Sequence, residues 1–435
     1  MILKHIFTNS AGILVSRILG FLRDLLTASI LGANIYSDIF FVAFKLPNLF
    51  RRIFAEGAFT QVFIPAYAKN THKVRFSTII FLQFLLFIIF LSIIVTLFSS
   101  FFTQVIAIGF DKETVQLAAP LVAICFYYLP LIFIVTFLAA LLQYKNHFST
   151  TAFSTALLNI SLIAALLLSQ NLESKEIVYY LSWGVIVGGF LQILVHLYMI
   201  KKLQIKIFAL TIKKKKRDIQ QSRFYKQFYP AVFGSSAAHI AAFLDTWLAS
   251  FLITGSISYL YYANRLFQLP LALFAIATSV ALFPTVAKAI KNNDEKKALL
   301  YLRKAFFVLF GLLGFATIIG IVLNTFIVEL LFQRGAFGES DTQTTAVVLT
   351  MYLIGLLPFG LGKIFSLWLY AHEKQALAAT ITMKTLIGNI FLSLLLIKPY
   401  GIYGLALASS LSGFILFYLT VREFGYKKFR ELITR

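Results

Sequence analysis

The run IIFLQFLLFIIFLSIIVTLF, residues 79–98, decides the fold class of this chain. Only Gln83, Ser92 and Thr96 interrupt its apolar character, and about 20 apolar residues span the ~30 Å hydrocarbon core of a bilayer. The whole chain shares this character. Of its 435 residues, 60% are hydrophobic and 13% are charged, whereas a soluble domain has about 25% charged residues. The sequence therefore predicts an all-α polytopic membrane protein and excludes a soluble protein of two or three domains.

The hydrophobic pattern predicts twelve membrane spans. Helices are expected because the bilayer interior offers no partner to unpaired backbone groups. By length and apolar content, the spans lie at roughly 8–31, 36–67, 76–101, 115–142, 149–169, 178–200, 227–253, 257–287, 305–330, 343–370, 375–396 and 401–420.

Lysines and arginines are distributed unevenly between the two sides of these spans. Of 39 in the chain, 27 fall at the termini and in loops on one side, and four fall in loops on the other side. Cytoplasmic loops of membrane proteins carry the excess of basic residues. Both termini are therefore expected in the cytoplasm. The net charge of +22 is explained by topology, so nucleic acid is not expected as a partner.

A long basic loop divides the chain into two sets of six spans. We predict an N-terminal six-helix lobe over 1–203, a basic cytoplasmic linker over 204–226, and a C-terminal six-helix lobe with a basic cytoplasmic tail over 227–435. Short matches occur in the same order in both halves, such as Leu46-Pro47 with Leu269-Pro270. They indicate a parallel pseudo-repeat around a central cavity, which is typical of transporters.

Motifs for catalysis, metal binding or nucleotide binding are absent from the sequence. The glycines of Gly355–Gly360 lack the Lys-Ser/Thr that completes a P-loop, and the six histidines are scattered. Cys125 is the only cysteine, so no intramolecular disulfide can form. The sequence predicts a protein that is not an enzyme and holds no cofactor. Gly184-x-x-x-Gly188 predicts close helix packing.

Basic residues inside the spans are the most informative feature. A cation near the bilayer centre costs at least ~2.5–3.5 kcal/mol, so such residues usually face a polar cavity. The planar fork of arginine matches phosphate oxygens, which favours a phosphate-bearing anionic substrate. The alternative is a set of structural ion pairs, such as Arg23–Asp24 or Arg51–Glu56. The eight basic residues are Arg17, Arg23, Lys45, Arg51, Arg52, Arg265, Lys363 and Lys384.

Three stretches resemble the MurJ (MviN) family: Ser16–Asp24 (SRILGFLRD), Asp38–Phe59, and Tyr262–Arg265 (YANR). That family flips lipid II, the undecaprenyl-diphosphate-linked disaccharide-peptide used for peptidoglycan synthesis. It belongs to the multidrug/oligosaccharidyl-lipid/polysaccharide exporter superfamily. The resemblance implies alternating-access transport across the bacterial cytoplasmic (inner) membrane. Membrane lipids and cell-wall synthesis enzymes are the further partners that it implies.

The resemblance also implies roles for individual residues. The positions that match the family's cavity arginines, expected to bind the diphosphate headgroup, are Arg17, Arg23, Arg51 and Arg265. The matching supporting or gating positions are Asp24, Asp38 and Glu56. A family cation site is matched by Asp245, Asn389 and Ser409, while Ser393 stands where that site has an aspartate. Sodium, protons or the membrane potential are the implied driving forces.

Two points stay open at the level of sequence. The family typically has fourteen spans, and the last two help to form a groove for the lipid tail. The way in which the lipid tail is held is therefore expected to differ in a chain with twelve spans.

The alternative substrates are another lipid-linked oligosaccharide, or a drug exported by cation coupling. A drug exporter is expected to have carboxylates in an apolar cavity rather than arginines. A non-transporting scaffold would leave the intramembrane charge unexplained.

Overall fold

The computed structural model describes residues 2–51, 59–209 and 219–434. Arg52, Glu56 and the basic run 213–217 lie outside this part of the chain. The described residues are almost entirely α-helical, which confirms the predicted fold class. Contacts group the chain into two compact units, Met1–Thr254 (unit 1) and Gly255–Arg435 (unit 2). The predicted lobe boundary in the linker 204–226 stays a prediction.

Unit 1 contains ten α-helices within the described residues. They are α1 (Ile2–Leu31), α2 (Ile35–Phe50), α3 (Phe59–Lys69), α4 (Lys73–Leu97), α5 (Ser99–Ile106), α6 (Lys112–Phe126), α7 (Tyr128–Tyr144), α8 (Ser149–Ser169), α9 (Ser174–Lys202) and α10 (Ile219–Ala249).

Side-chain caps determine where two of these helices begin. The Asn34 side chain accepts hydrogen bonds from the backbone N–H groups of Tyr36 (2.9 Å) and Ser37 (3.1 Å) at the start of α2. Asp111 accepts one from the Thr114 N–H (2.8 Å) at the start of α6. These bonds satisfy donors that the first helical turn leaves unpaired. Hydrogen bonding from Thr114 also lowers the pKa of Asp111, because it favours the carboxylate.

Helices α8 and α9 pack closely where glycine removes a side chain. A Cβ atom at Gly184 would lie 3.0 Å from the Ala165 Cβ, and one at Gly188 would lie 2.8 Å from Leu158 Cδ1. The Ser161 hydroxyl donates to the Gly184 carbonyl at 2.7 Å. Small residues permit this close approach in membrane helices. The close packing predicted from Gly184-x-x-x-Gly188 is confirmed.

An aromatic cluster joins α3, α4, α7 and α10. The ring of Phe59 stacks on Phe63 at 5.1 Å and meets Phe84, Phe133 and Phe224 edge-on at 5.6–6.1 Å. Edge-to-face and offset pairs at these distances are favourable. The cluster attaches the N-terminal part of α10 to α3, α4 and α7.

Unit 2 contains eight α-helices and one π-helical segment within the described residues. They are α11 (Ser256–Pro270), the π-helical segment Leu271–Ile276, α12 (Ala277–Lys291), α13 (Glu295–Val322), α14 (Asn324–Phe332), α15 (Glu339–Leu353), α16 (Leu356–Ala371), α17 (Gln375–Phe424) and α18 (Tyr426–Thr434).

Helix α17 is two limbs joined at a turn. Its 50 residues would reach about 75 Å if straight, more than twice the thickness of a bilayer core. Gly401 interrupts it with φ 53° and ψ −127°, a backbone conformation that favours glycine. Gly404 lies directly against the Leu396 carbonyl, so the chain folds back. The limbs correspond to the predicted spans 375–396 and 401–420.

Eight helical stretches in the described residues are long and apolar enough to cross a membrane. Several of them join two helices, such as Lys112–Tyr144, which contains α6 and α7. The chain is therefore a multi-pass membrane protein. The number twelve and the pseudo-repeat stay predictions.

The turn between α5 and α6 packs tightly on the end of α10. The Gly109 N–H donates to Ser250 Oγ at 3.0 Å. A Cβ atom at Gly109 would lie 2.5 Å from the backbone of Ser250 and Phe251. Any side chain at this position would therefore push the turn away from α10.

We expect Gly109→Ala to destabilise the protein by about 1–3 kcal/mol, the usual cost of overpacking. The measurement is the melting temperature of the purified protein. Gly311→Ala is the matched control, because none of the described residues lies within 4 Å of a Cβ there and alanine favours a helix interior. The control should melt at or above the wild-type temperature. Equal melting of Gly109→Ala and wild type would contradict the close packing.

Candidate functional site

Arg23 is the centre of a polar bridge between α1 and α8. Its Nε and Nη2 atoms donate to Asp24 Oδ1 at 3.1 and 2.6 Å, and Nη1 donates to Asn159 Oδ1 at 3.0 Å. The Asn159 amide in turn donates to the Ser16 carbonyl at 3.0 Å. The Arg23 and Asp24 side chains are 12% and 3% exposed. The Arg23–Asp24 ion pair, one of the two sequence interpretations, is present.

Sequence reasoning missed Asn159. The available signal was an amide placed inside the predicted span 149–169. Its role is clear only in three dimensions, because the bridge to Arg23 joins residues 136 positions apart. Gly20 lies beside it, and a Cβ atom there would make an ordinary contact with Asn159 Nδ2 at 3.4 Å.

The other predicted residues of unit 1 have different surroundings. Asp38 is 3% exposed in the first turn of α2, where a negative charge suits the helix dipole. The Arg51 Nε donates to Asn48 Oδ1 at 3.0 Å. Arg17 is exposed on α1, and it forms no hydrogen bond or ion pair with other described residues. The pairing predicted for Arg51 with Glu56 lies outside the described residues.

Arg265 lies on α11, in unit 2. Its Nη2 donates to the Tyr261 hydroxyl at 2.7 Å, and the guanidinium carbon lies 4.8 Å from the centre of the Tyr261 ring. A guanidinium at this distance is attracted to the ring face. The interaction holds the partly buried side chain against its own helix. The predicted convergence of Arg23 with Arg265 stays a prediction.

The candidate cation residues are distributed over both units. Asp245, on α10, interacts electrostatically with Lys45, and its buried Oδ1 has no hydrogen-bond partner among the described residues. Asn389 and Ser393 lie one turn apart on α17 and are 6% and 0% exposed. The Ser409 carbonyl accepts a 2.6 Å hydrogen bond from the Ser412 hydroxyl.

Comparison with known proteins decides the family. The family model "Lipid II flippase MurJ" matches residues 27–434. A relative from Helicobacter pylori (strain ATCC 700392 / 26695), named "Probable lipid II flippase MurJ", is 51% identical over 422 residues, which cover 93% of this chain and 91% of the relative. The chain belongs to the MurJ lipid II flippase family. The sequence-based resemblance is confirmed, and the family is one of transporters rather than catalytic enzymes.

Solved structures agree with the assignment to the MurJ family. The structure "Lipid II flippase MurJ, inward closed conformation" superposes with a TM-score of 0.84 at 28% identity, and the match covers 98% of this chain and 89% of that one. An inward-facing multidrug resistance MATE family transporter of the MOP superfamily matches with a TM-score of 0.74 at 12% identity, covering 96% and 95% of the two chains. The MATE match shows a shared fold alone.

Proposed function

We propose that this chain flips lipid II from the cytoplasmic to the outer leaflet of the bacterial inner membrane. The match of the MurJ family model to residues 27–434 carries the proposal. Arginines on membrane helices of this chain support it, because the substrate carries two adjacent phosphates. The headgroup would pass through the protein by alternating access while the tail stays in lipid. Enzymes that make and consume lipid II, and the surrounding lipids, are the further partners proposed.

Arg265 is proposed as a phosphate ligand. A guanidinium offers five N–H donors in a fixed fork, and Tyr261 accepts a bond from one of its nitrogens. Stacking on the ring reduces the orientations available to the side chain, so less entropy is lost when phosphate binds. Hydrogen bonds to charged groups are worth about 1.5–3 kcal/mol each.

Arg23 has a different setting, and its proposed contribution is different. Asp24 compensates its charge, and Asn159 accepts from the same guanidinium. A phosphate would have to share Arg23 with Asp24, so Arg23 binds the diphosphate together with Arg17 and Arg51 rather than alone. Asp38 and Glu56 would support the arginines.

The orientation proposed for the chain places both termini in the cytoplasm, on the basis of the 27-to-4 distribution of basic loop residues. A cysteine at Glu173 or Gly338 should therefore react with a membrane-impermeant maleimide in intact cells. One introduced within 213–217 or at Arg435 should react only after the cells are opened. Cys125 is buried and should leave the background low. Labelling of 213–217 in intact cells would contradict this orientation and place the loop outside the cell.

Ion coupling is a separate proposal, which assigns cation binding to Asp245. Asn389 and Ser409, the other positions that match the family's cation site, lie on α17. The buried Asp245 oxygen, which has no hydrogen-bond partner in the described part of the chain, supports it, because a hard cation prefers oxygen ligands. Ser393 would supply a hydroxyl instead of a carboxylate. Asp245→Asn should abolish any sodium dependence of transport in vesicles. Transport by wild type that is identical with and without a sodium gradient would exclude sodium and leave protons or the membrane potential.

The flippase proposal is tested by binding and flipping on the same variants. Arg265→Lys keeps the charge but loses the fork, so lipid II affinity should fall about ten- to a hundredfold and flipping should fall with it. Arg303→Lys is the matched control, since Arg303 also stacks on its own helix, 5.8 Å from the Phe307 ring.

The variant Asn159→Ala separates a structural role of Arg23 from a role in binding lipid II. This change removes one Arg23 partner, so the melting temperature should fall while the folded fraction still binds lipid II. A stable, folded Arg265→Ala variant with unchanged lipid II affinity would exclude Arg265 as a phosphate ligand. Absence of flipping by wild type in reconstituted vesicles would contradict the flippase function itself.

A further inference from the structure

Four polar side chains form a stripe along α11, called here the α11 stripe. It consists of Tyr261, Asn264, Arg265 and Gln268, at positions i, i+3, i+4 and i+7, which occupy a sector of about 100° at 100° per residue. All four are partly or fully exposed. The other side of the helix is buried and consists mainly of Tyr259, Leu260, Tyr262, Ala263, Leu266 and Phe267.

The α11 stripe lies within a stretch long and apolar enough to cross the membrane, Ser256–Lys291. Hydrocarbon would leave the spare N–H and C=O groups of its two amides unsatisfied, at a cost of several kcal/mol. Water or a polar ligand can satisfy these amide groups, and both amides are accessible, Asn264 partly and Gln268 fully. It is followed by the π-helical segment Leu271–Ile276, an irregularity that is common at functional sites.

Asn264 and Gln268 form an amide pair within the stripe. The Gln268 Nε2 donates to Asn264 Oδ1, and neither side chain has another hydrogen bond within the described residues. A primary amide has two N–H donors and an oxygen that accepts twice. Whichever way the two amides are turned, the pair keeps at least one donor and one acceptor for a ligand.

A donor beside an acceptor is complementary to a secondary amide, whose C=O accepts and whose N–H donates. The pair carries no charge, so it has no preference for a phosphate over a neutral group. Arg265, one residue from Asn264, supplies the cationic site. The α11 stripe thus combines an anion-binding group with an amide-binding group, and no carboxylate lies within it to favour a cationic drug.

We infer that Asn264 and Gln268 bind a secondary amide of the transported headgroup while Arg265 binds its phosphate. The amide belongs either to an acetamido sugar or to the peptide. This inference rests on the proposed function and extends it, because the amide pair would distinguish lipid II from lipids that carry a diphosphate alone.

The test measures binding of three probes to the purified protein in nanodiscs. The probes are undecaprenyl diphosphate, the same lipid with acetamido sugars but no peptide, and complete lipid II. In the double variant Asn264→Leu/Gln268→Leu, affinity for amide-bearing probes should fall about tenfold, and affinity for undecaprenyl diphosphate should change less than twofold. A loss already seen with the peptide-free probe assigns the sugar amide. A loss confined to complete lipid II assigns the peptide amide.

Two further variants keep the test independent of folding. Gln268→Met changes only an exposed position, and about a threefold loss for amide-bearing probes is expected from removing half of the pair. Gln343→Leu is the matched control, because Gln343 is an exposed amide of α15 that also pairs four residues away, with Glu339 at 3.4 Å. It should bind all three probes like wild type.

Two results would overturn the inference. An equal loss for all three probes would show a general effect on the site, and no loss for any probe would show that the amides do not contact the headgroup. A different result would show that the proposed flippase function itself is wrong. In that case wild type would bind lipid II no better than phosphatidylglycerol.

Discussion

A charge or an unpaired backbone group inside a bilayer has no water to solvate it, and the rest of the structure depends on meeting this constraint. Helices satisfy the backbone along the entire span. Ionised side chains need polar partners or a wetted surface. Arg23 meets the requirement with Asp24 and Asn159, and Arg265 uses the hydroxyl and ring of Tyr261. These contacts decide which surfaces of α1 and α11 cannot face lipid.

The lipid solvent also determines how the helices pack within each unit. Lipid tails are as apolar as leucine, so helices associate through close fit rather than through the hydrophobic effect. Glycine provides that fit between α8 and α9, and between the α5–α6 turn and α10. Aromatic rings provide it elsewhere. Phe59 connects four helices of unit 1, and Phe365 contacts Phe306, Phe424 and Phe429 in unit 2.

The proposed function uses two arginines, Arg265 and Arg23, that already have hydrogen-bond partners within the protein. A diphosphate offers stronger charge-assisted bonds than a tyrosine hydroxyl does, so a pre-oriented Arg265 can exchange or add a partner at small cost. Asp24 compensates the charge of Arg23 within α1, and the bond from Arg23 to Asn159 links α1 to α8. The structure shows the ion pair, and the substrate binding proposed for Arg23 is chemically compatible with it.

The sequence alone determined the fold class, the distribution of basic loops and the MurJ family, because hydrophobic length, charge counts and short motifs are local properties. It also indicated the glycines of α9 and the individual arginines. The partners of those arginines needed tertiary structure, since Asn159 reaches Arg23 from 136 residues away. The turn at Gly401 and the fit at Gly109 also needed it. Such contacts depend on which helix faces are opposed, and a periodic apolar sequence in lipid permits many facings of nearly equal energy.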